Sequence, residues 1–183
     1  MIIFNIMNNN KYKLRKSNID DLESLYNLQS ICFNNYDRYY KNNIRTVINN
    51  GIVIEIENEI IGFLLQGNIL ACDSSHLENN FSNFIPINNI GDIFKKNNEH
   101  IKEIHGIIMI CINPKYRKLG YAKMLIKEHI EINKNKKYLC LHSRESNVNA
   151  HSLYNSMNYK HIANITDFYL FPTEKSFFYL YRL

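Results

Sequence analysis

The feature that most constrains this 183-residue chain is the stretch from His105 to Ile132, HGIIMICINPKYRKLGYAKMLIKEHIEI. Ile107 to Ile112 form an unbroken apolar run rich in β-branched residues, which predicts a strand covered on both faces. Asn113 and Pro114 stop it. Tyr121, Met124, Leu125, Glu128 and Ile132 recur at helical spacing, so a helix begins just after Gly120. Between the two lies a short basic turn, Arg117-Lys118-Leu119-Gly120-Tyr121-Ala122.

A helix start carries up to four backbone N–H groups without intrahelical partners, and the helix dipole adds positive potential. Such a corner holds a phosphate by main chain alone. Gly120 and Ala122 keep the approach clear, because glycine admits close contact and backbone conformations closed to other residues. Lys115, Arg117, Lys118 and Lys123 add charge that suits an anion, and a pyrophosphate fits the turn. An ordinary solvated helix start is the alternative for the turn taken alone.

The remaining chain reads as mixed α/β. Tyr12 to Arg15 predicts a strand, and Asn18 opens a helix with Asp20, Asp21 and Glu23 in its first turn, where carboxylates favour the dipole. Leu22, Leu25, Tyr26, Leu28, Gln29 and Cys32 form its buried stripe. Phe33 to Tyr40 is a short connection dense in aromatics, open to two readings: simple packing, or a wall offering apolar faces and hydroxyls to a peptide backbone. A second helix runs to about Ile48. Gly51 to Glu57 and Ile60 to Leu70 predict a hairpin. Residues 71–103 are Asn-rich and weakly periodic, which predicts a surface insertion. Lys137 to Ser143 predicts a further strand, Asn147 to Ser156 a helix, and about Ile162 to Phe171 and Ser176 to Tyr181 two last strands. The expected architecture is an α/β (α+β) domain spanning 1–183, with a mixed, mostly antiparallel sheet of six or seven strands, about four helices and one parallel strand-helix-strand unit.

The net charge of +5 admits nucleic acid, an acidic surface or a polyanionic cofactor as partner. No nucleic-acid motif or Cys/His metal spacing supports the first, so no DNA partner and no metal are expected, and cofactor phosphate is the economical account of the lysines at 115–123. Cys32, Cys72, Cys111 and Cys140 lie far apart, as free thiols in a reducing compartment do. No secretory leader and no bilayer-length apolar run are present, so a soluble cytoplasmic protein without a membrane partner is expected.

The pattern strand, Arg117-x-x-Gly120-x-Ala122, helix resembles the acetyl-coenzyme A signature of the GNAT superfamily of N-acetyltransferases. Leu141-His142-Ser143-Arg144-Glu145-Ser146-Asn147, followed by Ala150, Leu153 and Tyr154, is similar to the second half of that core. It looks most like the N-terminal protein acetyltransferases, both the eukaryotic catalytic subunits and the bacterial ribosomal-protein alanine type. Ser143 stands where they usually carry Val, and Asn34-Asn35 stands where Pro-Glu or Pro-Val often follows, so a catalytic Glu there is absent. Asp167-Phe168-Tyr169 resembles their paired-tyrosine hairpin, with Phe168 at the first Tyr.

The resemblance implies a GNAT fold with splayed central strands and acetyl-coenzyme A as cosubstrate. The cofactor would lie along Ile110, Cys111 and Ile112, on the turn Arg117, Lys118, Leu119, Gly120, Tyr121, Ala122 and Lys123, and against Asn147. It implies His142 as base, Tyr154 as proton donor to the leaving thiolate, and Phe33, Tyr36, Phe168 and Tyr169 as walls for a protein N-terminus. In this family an auxiliary subunit can dock the enzyme at the ribosome. Neutralising an α-amino group near pH 7 costs only ~1 kcal/mol against ~4.5 kcal/mol for a lysine, so a mild base such as histidine suffices. Acetylation of a small amine (an aminosugar or polyamine) or of lysine is the second reading, and a non-catalytic coenzyme A-binding module the third.

Overall fold

The computed structural model describes residues 3–7, 10–68 and 105–183. They form a mixed α/β fold of eight strands and four α-helices, and the only parallel pair among the described registers is one. The expected insertion at 71–103 lies outside the described residues. The chain divides into two compact units, Met1–Gly67 with Ile108–Asn133 and Asn68–Ile107 with Lys134–Leu183.

In the first unit, β1 (Ile3–Met7) pairs antiparallel with β2 (Asn10–Lys16), and β2 with β3 (Ile52–Ile56). The segment around β1 carried no expected strand, and its pairing with its sequence neighbour takes the strand number to eight. β3 and β4 (Glu59–Asn68) form the expected hairpin, closed by Glu57 and Asn58 at φ 51° and 65°. Two successive left-handed residues give a turn whose twist matches the flanking strands, and Asn tolerates that region well. Gly62 lets β4 lie close to both neighbours: a Cβ there would meet the Cys111 carbonyl oxygen at 3.0 Å and Ile54 Cγ2 at 3.0 Å. Leu22, Leu25 and Leu28 of α1 (Leu22–Cys32) and Ile44 of α2 (Lys41–Val47) pack with Ile48, Val53, Phe63, Leu65, Met109 and Cys111 into the core.

The start of α1 is fixed by charge as well as by capping. Asn18 caps the 3-10 turn that leads into the helix, accepting from the Asp20 N–H at 2.8 Å, while Asp21 accepts from the Asn18 N–H at 2.9 Å. Arg15 then grips Asp21 with both Nη atoms, at 2.8 and 2.7 Å, and donates to Glu55 from Nε at 2.8 Å. Burial would push the Asp21 carboxyl up, but the Arg15 fork and the Asn18 amide outweigh it and hold it below its ordinary value.

After β5 (His105–Ile112), α3 (Tyr121–Ile132) follows as predicted, with a different buried stripe. Tyr121, Leu125, Ile126 and His129 are buried, whereas Ile132 is 51% exposed and Met124 and Glu128 are half-buried. The stripe is turned because His129 is drawn inward: its Nδ1 meets Gln66 Oε1, and Asn133 Nδ2 donates to the same oxygen at 2.8 Å. A fully buried histidine is admissible only with such partners.

In the second unit, β5 and β6 (Tyr138–Arg144) run parallel, His105 opposite Leu139 and Gly106 opposite Cys140. β6 pairs antiparallel with β8 (Thr173–Arg182), and β8 with β7 (Lys160–Leu170), whose register shifts twice. α4 (Val148–Ser156) starts at Asn147, whose Oδ1 accepts from the Ala150 N–H at 3.2 Å. No helix of the described residues is long and apolar enough to cross a membrane.

Candidate active site

In the first unit the turn between β5 and α3 leads into the helix through two left-handed residues ringed by basic side chains. Pro114–Tyr116 form a 3-10 turn capped by Asn113, Arg117 is extended, and Lys118 and Gly120 are left-handed at φ 61° and 88°. A left-handed lysine costs of order 1 kcal/mol and persists only where its surroundings impose it. The first intrahelical bond beyond the turn runs from the Met124 N–H to the Gly120 carbonyl at 3.2 Å, as for a helix whose first amides have no intrahelical acceptor. Lys115, Arg117, Lys118 and Lys123 are exposed around it. The donor set fits a diphosphate: main-chain amides of Tyr121, Ala122 and Lys123 with a surround of cations. Tyr121 is 1% exposed and anchors the corner to the core with its ring edge-on to Tyr12, centroids 6.1 Å apart. Leu119 is half-buried.

The end of β5 is more heavily engaged than the sequence suggests. The Ile112 carbonyl accepts both from Cys32 Sγ at 3.3 Å and from Arg117 Nε at 3.1 Å, and Cys111 Sγ donates to the Leu28 carbonyl at 3.7 Å. Hydrogen bonding with the Cys111 thiol, then the Arg117 guanidinium, brings the Cys32 thiol down to about 7 against the opposing effect of burial. Burial pushes the Cys111 thiol far up.

The aromatic connection after α1 is pinned by polar side chains. Asn34 Oδ1 accepts from the N–H groups of Tyr36 and Asp37, both at 3.0 Å, and Arg38 donates to the carbonyls of Phe33 and Ser30 at 3.0 and 2.7 Å. Gln29 holds Tyr39 through both its N–H and its carbonyl. Phe33 and Tyr39 pack against the core, whereas Tyr36 and Tyr40 are 64% and 62% exposed. Phe33 and Tyr39 thus contribute part of their surface to packing, and Tyr36 is presented at the surface.

In the second unit, three of the expected residues meet. His142 on β6 lies edge-on to Phe168 with ring centroids 4.8 Å apart, and its Nδ1 is 3.0 Å from the Tyr169 hydroxyl. The ring of Tyr169 carries the Arg144 guanidinium, 4.1 Å from its centroid. Arg144 is itself fixed by Glu174 at 3.1 Å and by the carbonyls of Phe171 and Pro172 at 3.0 and 3.2 Å. Tyr154 stands elsewhere in this unit, on α4, tilted against Tyr159 and Tyr179 at 6.3 and 5.6 Å. Burial pushes its phenol well up, so at neutral pH it stays protonated and keeps a hydrogen to donate. Tyr179 in turn reaches His151 Nδ1 at 2.8 Å, and His151 Nε2 lies 2.9 Å from the Glu145 carbonyl. Sequence reasoning did not single out Arg144, Glu174, His151 or Tyr179, and only the place of Arg144 between His142 and Asn147 pointed to one of them. Among the described residues, no three His, Cys, Asp or Glu side chains gather as a metal-binding group.

The profile of the Acetyltransferase (GNAT) family matches residues 19–159. Solved structures with the same fold include Arabidopsis thaliana NAA60 in complex with acetyl-CoA, 22% identical with TM-score 0.71, covering 94% of this chain and 99% of that one. The ribosomal-protein-S18-alanine N-acetyltransferase from Escherichia coli is 12% identical with TM-score 0.67, covering 93% of each chain. An agmatine N-acetyltransferase is 10% identical with TM-score 0.73, covering 94% and 99%. Among curated proteins no sequence matches. The chain belongs to the GNAT family of acetyltransferases, and it is an enzyme of that kind.

Proposed function

We propose that this enzyme transfers the acetyl group of acetyl-coenzyme A to the α-amino group of a protein N-terminus, in the cytoplasm, as one domain over 1–183 with an insertion at 71–103. The observation that carries the reading is the cluster of His142 with Phe168 and Tyr169, which sets a base beside aromatic side chains suited to a peptide. The bound cosubstrate supplies an activated thioester. The amides of Tyr121, Ala122 and Lys123, with Arg117, Lys118 and Leu119 shaping the turn, would hold its diphosphate. Main chain of Ile110 to Ile112, in strands that splay, would hold its extended arm. The Ile112 carbonyl already accepts two hydrogen bonds, which leaves the acceptor's part there to Ile110. The Asn147 Oδ1 caps α4, so a contact from Asn147 would come through Nδ2.

His142, directly or through water, takes the proton of the attacking amine, a step that needs little driving force for an α-amino group. Tyr154, kept protonated by burial, is the donor for the departing thiolate. Phe33, Tyr36, Phe168 and Tyr169 would flank the first residues of the peptide. The same fold in an agmatine N-acetyltransferase makes a small amine the reading to beat. The test is turnover of purified protein, alone and with partners recovered from the ribosome fraction, on peptides with free N-termini, the same peptides blocked but bearing lysine, and agmatine. Preference for free N-termini supports the proposal, and preference for either other class refutes it. His142→Ala should lower turnover of the preferred peptide by ~10²-fold, most at low pH.

A further inference from the structure

The acetyl-transfer reading uses Arg117 and the β5 main chain, and it leaves unexplained why two thiols meet there. Cys32 is the last residue of α1 and Cys111 the penultimate residue of β5. Their contacts are reciprocal. Cys32 Sγ reaches the carbonyl of the residue that follows Cys111, and Cys111 Sγ reaches the carbonyl one helical turn before Cys32. Arg117 closes the group by donating to the Ile112 carbonyl that Cys32 also uses.

We propose that Cys32 is an oxidisable thiol with Cys111 as its resolving partner, a modification site for peroxides that closes into a disulfide between α1 and β5. The two sulfurs differ as such a pair requires. Cys32 is half-buried and within reach of a small oxidant, whereas Cys111 is 3% exposed. Arg117 offsets the negative end of the α1 dipole and favours the Cys32 thiolate, the nucleophilic form. A lowered pKa raises the thiolate fraction of Cys32 at neutral pH above that of an ordinary cysteine. The lower intrinsic nucleophilicity of a more acidic thiol offsets part of that gain in rate.

In the first step the Cys32 thiolate attacks one peroxide oxygen, the O–O bond breaks, and Cys32 becomes a sulfenic acid with release of hydroxide or alkoxide. In the second, Cys111 sulfur attacks the sulfenic sulfur, the S–O bond breaks, and the Cys111 proton leaves with the departing hydroxide as water. Two thiols lose two electrons to one peroxide, and one S–S bond forms. The product would tie the residue before Phe33 to the strand that precedes the anion turn.

The test uses the full native chain, treated with one equivalent of hydrogen peroxide, quenched with an alkylating agent and mapped by peptide mass spectrometry without reduction. A Cys32–Cys111 linked peptide, with Cys140 still alkylatable after unfolding, is the expected result. Cys111→Ala should leave Cys32 as a sulfenic acid trapped by a dimedone probe, and Cys32→Ser should leave Cys111 reduced. Disulfides made instead with Cys72 or Cys140, intermolecular dimers, or Cys32 oxidised no faster than the free cysteines of the unfolded chain would overturn the proposal. None of these outcomes depends on which amine is acetylated, because the readout is chemical and needs no turnover.

Discussion

Gly120→Ala tests the anion turn most directly. Gly120 sits at φ 88°, where a Cβ costs about 1–2 kcal/mol. That strain has two ways to appear. If the turn keeps its shape, the cost falls on folding, and for a chain of 183 residues it lowers the midpoint of thermal unfolding by about 2–8 °C. If the turn rearranges instead, the first amides of α3 lose their aim and affinity for acetyl-coenzyme A falls by about 5- to 30-fold. The two losses, from thermal unfolding without ligand and from calorimetric titration with acetyl-coenzyme A, should together sum to about 1–2 kcal/mol. Gly120→Asn separates strain from bulk, because Asn tolerates the left-handed region, and it should recover at least half of the loss. Gly120→Val, β-branched, should be worse than both. Refutation is equally definite: an alanine variant with unchanged midpoint and unchanged affinity means that the left-handed geometry does no work, and an asparagine variant as impaired as alanine means that strain is not its cause.

Tyr154→Phe removes a buried donor without changing shape; acetyl-coenzyme A affinity should hold while turnover falls by ~10²-fold, and equal turnover would take Tyr154 out of the mechanism. Gly62→Ala would press a methyl group on the Cys111 carbonyl and on Ile112 and Ile54, an overpacking that should cost about 1–3 kcal/mol in urea unfolding. An unaltered urea midpoint would contradict the close approach of β4 to its neighbours. Asp21 has a folded pKa below its unfolded value, so its contribution is complete above the unfolded value and is lost as pH falls through the folded one. Asp21→Asn should therefore lower stability at neutral pH and flatten the acid limb of urea midpoint against pH, and an acid limb identical to that of the parent chain would show that the Arg15 pair does not contribute to it.

Local chemistry made the strand, turn and helix legible from sequence, since each depends on residues within a few positions. The apolar run of β5, Pro114, Gly120 and the spacing from Tyr121 are all short-range signals, and the hairpin at Glu57-Asn58 is another. Short-range signals were weaker for the buried stripe of α3. Ile132 counts as apolar in any pattern, yet it is exposed, because His129 finds Gln66 and Asn133 and takes the inward place. A polar residue is buried only where distant partners satisfy it, and those partners are invisible to periodicity.

The sequence alone therefore determined the strand-turn-helix corner, the order of the elements around it and the family whose pattern they follow. Tertiary structure decided which side chains meet. His142 and Tyr169 are 27 residues apart, and their hydrogen bond exists because β7 and β6 share β8 as neighbour. Cys32 and Ile112 are 80 apart, and their contact comes from packing α1 on the sheet core. Asn34, Arg38 and Gln29 turn an aromatic-rich connection into a fixed loop. The physical reason is common to all three cases: backbone propensity is local, whereas a polar contact is specified only when folding brings donor and acceptor out of water together.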